Sequence, residues 1–111
     1  MNKETLKGHL PVLVLGILAE QPRHGYALCN EIKARAAGIL QLGEGTLYPL
    51  LHRLEHRGHV RGEWQTGPRG KSLKVYHVTR RGQRLIRAHQ ADWQSLARLF
   101  KQFVGKDWAK A

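Results

Sequence analysis

A single cysteine, Cys29, is too few for an internal disulfide and fits a reducing compartment, so the chain is held by burial rather than by cross-links. Within a helical run, it reads as a small buried hydrophobe. Acids are scarce as well. Eight Asp and Glu against nineteen Lys and Arg leave a net charge of +11, and no acid occurs between Glu63 and Asp92. That interval carries Arg69, Lys71, Lys74, Arg80, Arg81, Arg84 and Arg87, which makes polyanions the natural partners. Long hydrophobic runs are missing. The longest, Leu10 to Ala19, contains Pro11 and Gly16 and is too short to span a bilayer. It also lacks the basic start and small-residue cleavage site of a secretory signal, so the expected location is the cytoplasm and not a membrane. Nothing marks an enzyme. There is no Gly-rich phosphate loop, no Ser or Cys nucleophile with a placed base, and no carboxylate pair flanking a cleft, so neither catalysis nor a cofactor is expected.

What is present centres on the stretch from Gly43 to Gly58. Leu47, Leu50, Leu51 and Leu54 recur at helical spacing and form one apolar stripe, which needs a core to lie on. Thr46, Tyr48, Pro49, His52, Arg53 and His56 point elsewhere. Their hydroxyl, aromatic, imidazole and guanidinium groups suit a DNA groove, although an amphipathic core helix with a solvated polar face has the same pattern.

The chain of 111 residues has room for one modest core. The first helix is expected to become regular near Leu10, because Pro11 is tolerated only in a first turn. Val12 to Leu18 is apolar nearly all round, so this helix has to be covered on more than one side. A second helix should run from about His24 to Ala37 with Leu28 and Ile32 inward and Gly38 ending it. Gly25-Tyr26 looks like a position of close backbone approach. Ile39 to Leu42 reads as a short extended connection, and the third helix should begin between Glu44 and Leu47.

After Gly58, His59 to Thr66 reads as a strand with Val60 and Trp64 on one face, Trp64 being expected in the core under a hairpin. Leu73 to Thr79 reads as a second strand with Tyr76 and Val78 on one face and Val75 and His77 on the other. Gly67-Pro68-Arg69-Gly70 between them matches a type I turn. The tip is narrow and basic, which suits phosphates, though an ordinary solvated hairpin tip looks similar. Thr79 is a good N-cap for a last helix ending at Gly105, about 25 residues or roughly 37 Å long, beyond what a domain of this size needs for its own core. Ile86, His89, Trp93, Leu96, Phe100 and Phe103 alternate in steps of three and four, the seam of a coiled coil. A second copy is the simplest partner, with the first helix alongside. His89 is polar within this seam and either fixes register or contacts a ligand, and Trp108 reads as a tail residue.

The predicted fold is therefore α+β but mainly α: a winged helix-turn-helix over residues 1–79, then a dimerisation helix and tail over 80–111. The sequence also resembles the PadR family of bacterial transcriptional regulators, in the short form with one C-terminal helix. The resemblance rests on His24-Gly25-Tyr26, on Glu44-Gly45-Thr46-Leu47-Tyr48-Pro49 running into Arg53-Leu54-Glu55, on Gly58, on Lys74 to Thr79 and on Gly82. It implies a homodimeric winged-helix repressor that binds an inverted repeat in double-stranded DNA and is released by a small molecule. Carried onto this chain, it puts Thr46, Tyr48, Pro49 and Arg53 at the major groove and Arg69, Lys71 and Lys74 on the wing; His52 joins the DNA-binding set from its place on the same face of the helix. Trp93 falls where family members that sense planar aromatic compounds keep a stacking tryptophan, with His89 and Leu96 as its neighbours on the seam. Where the family has an aromatic residue this chain has Val75, read as an outward wing position.

Two other classes remain open on the residues alone. One is a basic nucleic-acid-binding module without sequence choice, associated with the nucleoid or the ribosome. The other is a protein-interaction adaptor that keeps the fold without the DNA function. His52 and His56 have the spacing to share a metal ion, but no cysteine or carboxylate completes the set, so no metal is expected.

Overall fold

Helix α1 spans Lys3–Glu20 and encloses Pro11, so it begins well before the limit that proline was expected to set. The missing N–H deprives the carbonyl four residues earlier, at Lys7, of its partner. Lys7 lies in an exposed turn where water serves instead. The extension is held from outside, because Nδ1 of His9 lies 2.9 Å from Nε2 of His89 on the last helix and the His9 ring meets Trp93 edge to face. The computed structural model describes residues 3–39 and 42–105; Leu40 and Gln41 of the expected extended connection, and the tail residue Trp108, lie outside them.

Strand β1, Arg23–His24, is too short to show any alternation in the sequence and was not expected. Helix α2, Gly25–Ala36, follows at once, and the Ala27 N–H donates to Nδ1 of His24 at 3.2 Å as its cap. It ends as Ala37 turns left-handed, one residue ahead of Gly38. Helix α3 takes the earlier of the two expected starts, Glu44–His56. Pro49 therefore lies inside it and one hydrogen bond, to the Gly45 carbonyl, is forgone.

The hairpin consists of β2, Val60–Thr66, and β3, Ser72–Val78, and the sheet order β1-β3-β2 is antiparallel throughout. Val60 pairs with Val78, Gly62 with Tyr76 and Trp64 with Lys74, so these six share one face. The turn is not type I. Arg69 has φ 63°, where that turn needs about −90°, and Gly70 follows at φ 72°. The Gly67 N–H already donates to the Lys71 carbonyl at 2.6 Å, so the chain must reverse within the three residues between, and two left-handed residues do it. Val75 is half-buried and not free to solvent, since β3 is the middle strand with neighbours on both sides.

The core joins Val14, Leu15 and Leu18 of α1 to Leu28 and Ile32 of α2, the stripe Leu47, Leu50, Leu51 and Leu54 of α3, and Val60 and Tyr76 of the sheet. Cys29 belongs to it, with Sγ 3.4 Å from the Leu42 carbonyl. Helix α4, Arg80–Val104, has the expected bounds and is capped by Thr79, whose hydroxyl accepts from the Gly82 N–H. Only its first turns pack on the core, through Gly82, Leu85 and Ile86. From Gln90 to Gly105 every residue is exposed in the single chain. The arm makes the protein 58 Å long but only 29 by 21 Å across.

Candidate nucleic-acid interface

The leucine stripe fixes how α3 faces the world. With those four residues buried, Thr46, Pro49, His52 and Arg53 are exposed and on the same side of the helix axis as solvent. Arg53 makes no ion pair among the described residues. Tyr48 stands at the edge of this face. A Cβ at Gly25 would lie 2.5 Å from its ring, so the expected close approach is real and is made by the start of α2 against Tyr48. Burial, then the charge of Glu44, raises the Tyr48 phenol above its ordinary value and keeps its hydroxyl a hydrogen-bond donor.

The wing is joined to α3 by Glu55. Its carboxylate accepts from Lys74 Nζ at 2.8 Å with one oxygen and from the Gly62 N–H at 3.0 Å with the other. A Cβ at Gly62 would meet Lys74 Cε at 2.2 Å and Glu55 Oε2 at 2.7 Å, so a larger residue there would displace the ends of both side chains and disturb the latch. Lys74, placed on the wing by the sequence reading, is thus held inward, with its ammonium 5.9 Å from the Trp64 ring and 5.5 Å from the Tyr76 ring. Arg69 and Lys71 stand exposed at the wing tip, and neither has an ion pair among the described residues.

The hydrogen bond from Lys74, followed by the one from Gly62, outweighs burial and lowers the Glu55 pKa. A carboxyl with a folded pKa below its unfolded value stabilises fully above the unfolded value, near 4.5, and loses that contribution as pH falls through the lower folded value. Glu55→Gln should therefore lower the thermal midpoint at neutral pH, and the difference from wild type should close as the pH falls below 4.5 through the lowered pKa. A gap unchanged across that range would show that the latch does not depend on charge. The surrounding field is positive: burial, then Arg81 and Arg57, depresses the His59 pKa and keeps that imidazole neutral.

Between α1 and α4 lies an open cleft of about 460 Å³ lined by Leu6, His9, Val12, Leu13, Ile86, His89, Gln90 and Trp93. Two of the three residues expected to touch a ligand, His89 and Trp93, meet there. Leu96 lies further along α4 and does not line it. His52 and His56 are exposed on α3, and among the described residues no three His, Cys, Asp or Glu gather as a metal set. No helix among the described residues is long and apolar enough to cross a membrane.

Trp64 corrects the sequence reading. It is 69 % exposed, because burial on β2 stops at Val60 and the strand then runs out beyond the core. In the sequence Glu55 and Tyr26 stand out only as parts of motifs. No spacing rule links Glu55 to Lys74, since the contact crosses from a helix to a strand.

Three helices, a hairpin laid against the third and an exposed polar face on that third helix define a winged-helix transcriptional regulator. Comparison with known proteins narrows this. Residues 14–88 match the model of the transcriptional regulator PadR-like family, and the chain belongs to that family. A padr family transcriptional regulator from Eggerthella lenta superposes with a TM-score of 0.78 at 34% identity, over 91% of this chain and 86% of that one. A PadR-like transcription factor from Bacteroides fragilis gives 0.78 at 27%, over 89% and 93%. A PadR-like regulator from Bacillus cereus, at 24% identity and TM-score 0.80, covers 94% of this chain and 99% of its own and supports the fold. An uncharacterized protein of Lysinibacillus sphaericus is 25% identical over 104 residues, 94% of this chain and 95% of that protein. The family is one of regulators, not enzymes.

Proposed function

We propose that the protein is a cytoplasmic homodimeric repressor that grips an inverted-repeat operator with two copies of α3 and lets go when a small planar aromatic compound enters the α1/α4 cleft. The observation that carries this is the pairing of two exposed surfaces on one chain: a polar α3 face clear of its own domain, and an apolar stripe along the α4 arm that stays exposed at Leu96 and Phe103, beyond the contact of His9 with Trp93. A two-fold axis through the arms would set the two reading helices about 34 Å apart, the spacing of successive major grooves on one side of a duplex. Thr46, Tyr48, Pro49, His52 and Arg53 would meet the major groove. Arg69 and Lys71 would meet phosphates, and Lys74 would brace the wing through Glu55. The effector would stack on Trp93 beside His89, with Leu96 on the seam closing the far side, and would tilt the arms so that the spacing no longer matches.

Selecting bound fragments from genomic DNA would supply the operator, and a salt titration on operator and random duplexes tests the reading. Arg53→Ala should weaken operator binding by about tenfold to a hundredfold and relax one position of the site, as expected for a bidentate guanine contact. Lys71→Ala should weaken both duplexes alike and reduce the salt slope by about one. Equal affinity for operator and random DNA at every salt concentration would favour a module without sequence choice. Little change when Arg53 and Lys71 are both replaced would favour the adaptor.

A further inference from the structure

The wing strands, the junction of β1 with α2 and Tyr48 of α3 line an open groove of about 420 Å³ that is rich in aromatic rings. Tyr48 and Glu55 are two helical turns apart and so lie on one side of α3, and Glu55 is tied to Gly62 and Lys74, so that side faces the wing. Of these Tyr48 lines the groove, together with Trp64 and Tyr76 from the wing strands and Tyr26 from the start of α2. Trp64, Tyr26 and Tyr48 are all exposed. A tryptophan and two tyrosines left wet around one groove are not needed by a core that ends at Val60 on this strand.

We propose that this groove seats one sugar–phosphate strand of the bound duplex, with the Trp64 ring packed on a deoxyribose and Tyr26 closing the other side. The inference rests on the DNA-binding reading above and adds two contacts to it. With α3 in a major groove and the wing tip reaching toward the neighbouring minor groove, the strand that divides those grooves must cross between α3 and the wing. The groove is continuous with the α3 face at Tyr48. Its chemistry suits the sugar more than the phosphate, because Glu55 neutralises Lys74 inside it while Arg69 and Lys71 carry their charge outside at the tip. The contact is apolar and releases no counterion, so it adds affinity without adding to the salt dependence.

The test uses the full chain and a fluorescein-labelled duplex of random sequence, about thirty base pairs long, followed by anisotropy at several salt concentrations. Trp64→Ala should bind about tenfold more weakly at each one, with the slope of affinity against salt unchanged, and Trp64→Phe should recover most of the loss. Tyr26→Ala on the opposite wall should repeat the pattern, which guards against a fold defect in either variant, and thermal unfolding of each should stay at the wild-type midpoint. Trp64→Ala binding within about twofold of wild type would overturn the inference while leaving the DNA reading intact. So would a loss that vanishes with the slope, which would mark an ionic contact instead. A changed sedimentation of the free protein would assign the groove to a second copy and overturn it too. Wild-type protein that bound no duplex would sink the DNA reading, and the groove's occupant with it.

Discussion

Gly82→Ala should cost about 3 kcal/mol and lower the thermal midpoint by roughly 10 °C or more. A methyl group on this buried residue would stand 2.2 Å from the His59 carbonyl oxygen and 2.8 Å from Val78 Cγ2. Neither neighbour can step aside cheaply. The same carbonyl accepts the Thr79 N–H at 3.1 Å, and Val78 is locked in register opposite Val60. Calorimetry on the variant checks this, and a midpoint within a couple of degrees of wild type would show that α4 can lift off the hairpin without penalty. The glycine is required by packing and not by backbone conformation, since it lies within regular α4.

Leu96→Asp combined with Phe103→Asp should convert the proposed dimer to a single subunit in sedimentation and lower operator affinity by at least a hundredfold, because the second half-site is then no longer bound intramolecularly. Phe103 is 84 % exposed in the single chain and Trp93 and Leu96 are both 57 % exposed. A seam of this kind is too apolar to be left in water for its whole length. The double variant should keep the wild-type fold of residues up to Ile86, because their core is built from α1, α2, α3 and the sheet and neither Leu96 nor Phe103 belongs to it. A wild-type chain that sediments as one subunit at micromolar concentration would remove the basis for the paired reading heads.

The elements that the sequence made legible are those whose signal is local. The α4 bounds follow from Thr79 and Gly105 as caps, and the α3 stripe from four leucines at helical spacing. Gly25 as a close approach was legible from its neighbourhood, though its partner Tyr48 was not. What the sequence concealed depends on contacts between distant segments. Pro11 argued for a late start to α1 because its cost is local, whereas the gain from His9 against His89 spans eighty positions. Trp64 obeyed the strand alternation and was still exposed, since alternation says which face a side chain takes and not how far along the strand the core extends. The left-handed Arg69 comes from the Gly67–Lys71 closure, which a turn propensity for Pro and Gly does not contain. The exposed polar side of α3 and the exposed basic wing tip were legible, but the inward turn of Lys74 required knowing where Glu55 lies.

Thr79 bonds in two directions: its hydroxyl donates to the Gly58 carbonyl at 2.6 Å, just past the end of α3, while accepting from Gly82 in the first turn of α4. With the His59 carbonyl accepting the Thr79 N–H beside it, the exit of one helix and the entry of the other are pinned at a single point. A swing of the long arm that keeps these bonds must carry the tail of α3 with it. A fulcrum so placed needs no relay through the leucine core: under the proposed function, a movement of the arm at Trp93 would be passed on as a change of pitch in the helix that would lie in the groove.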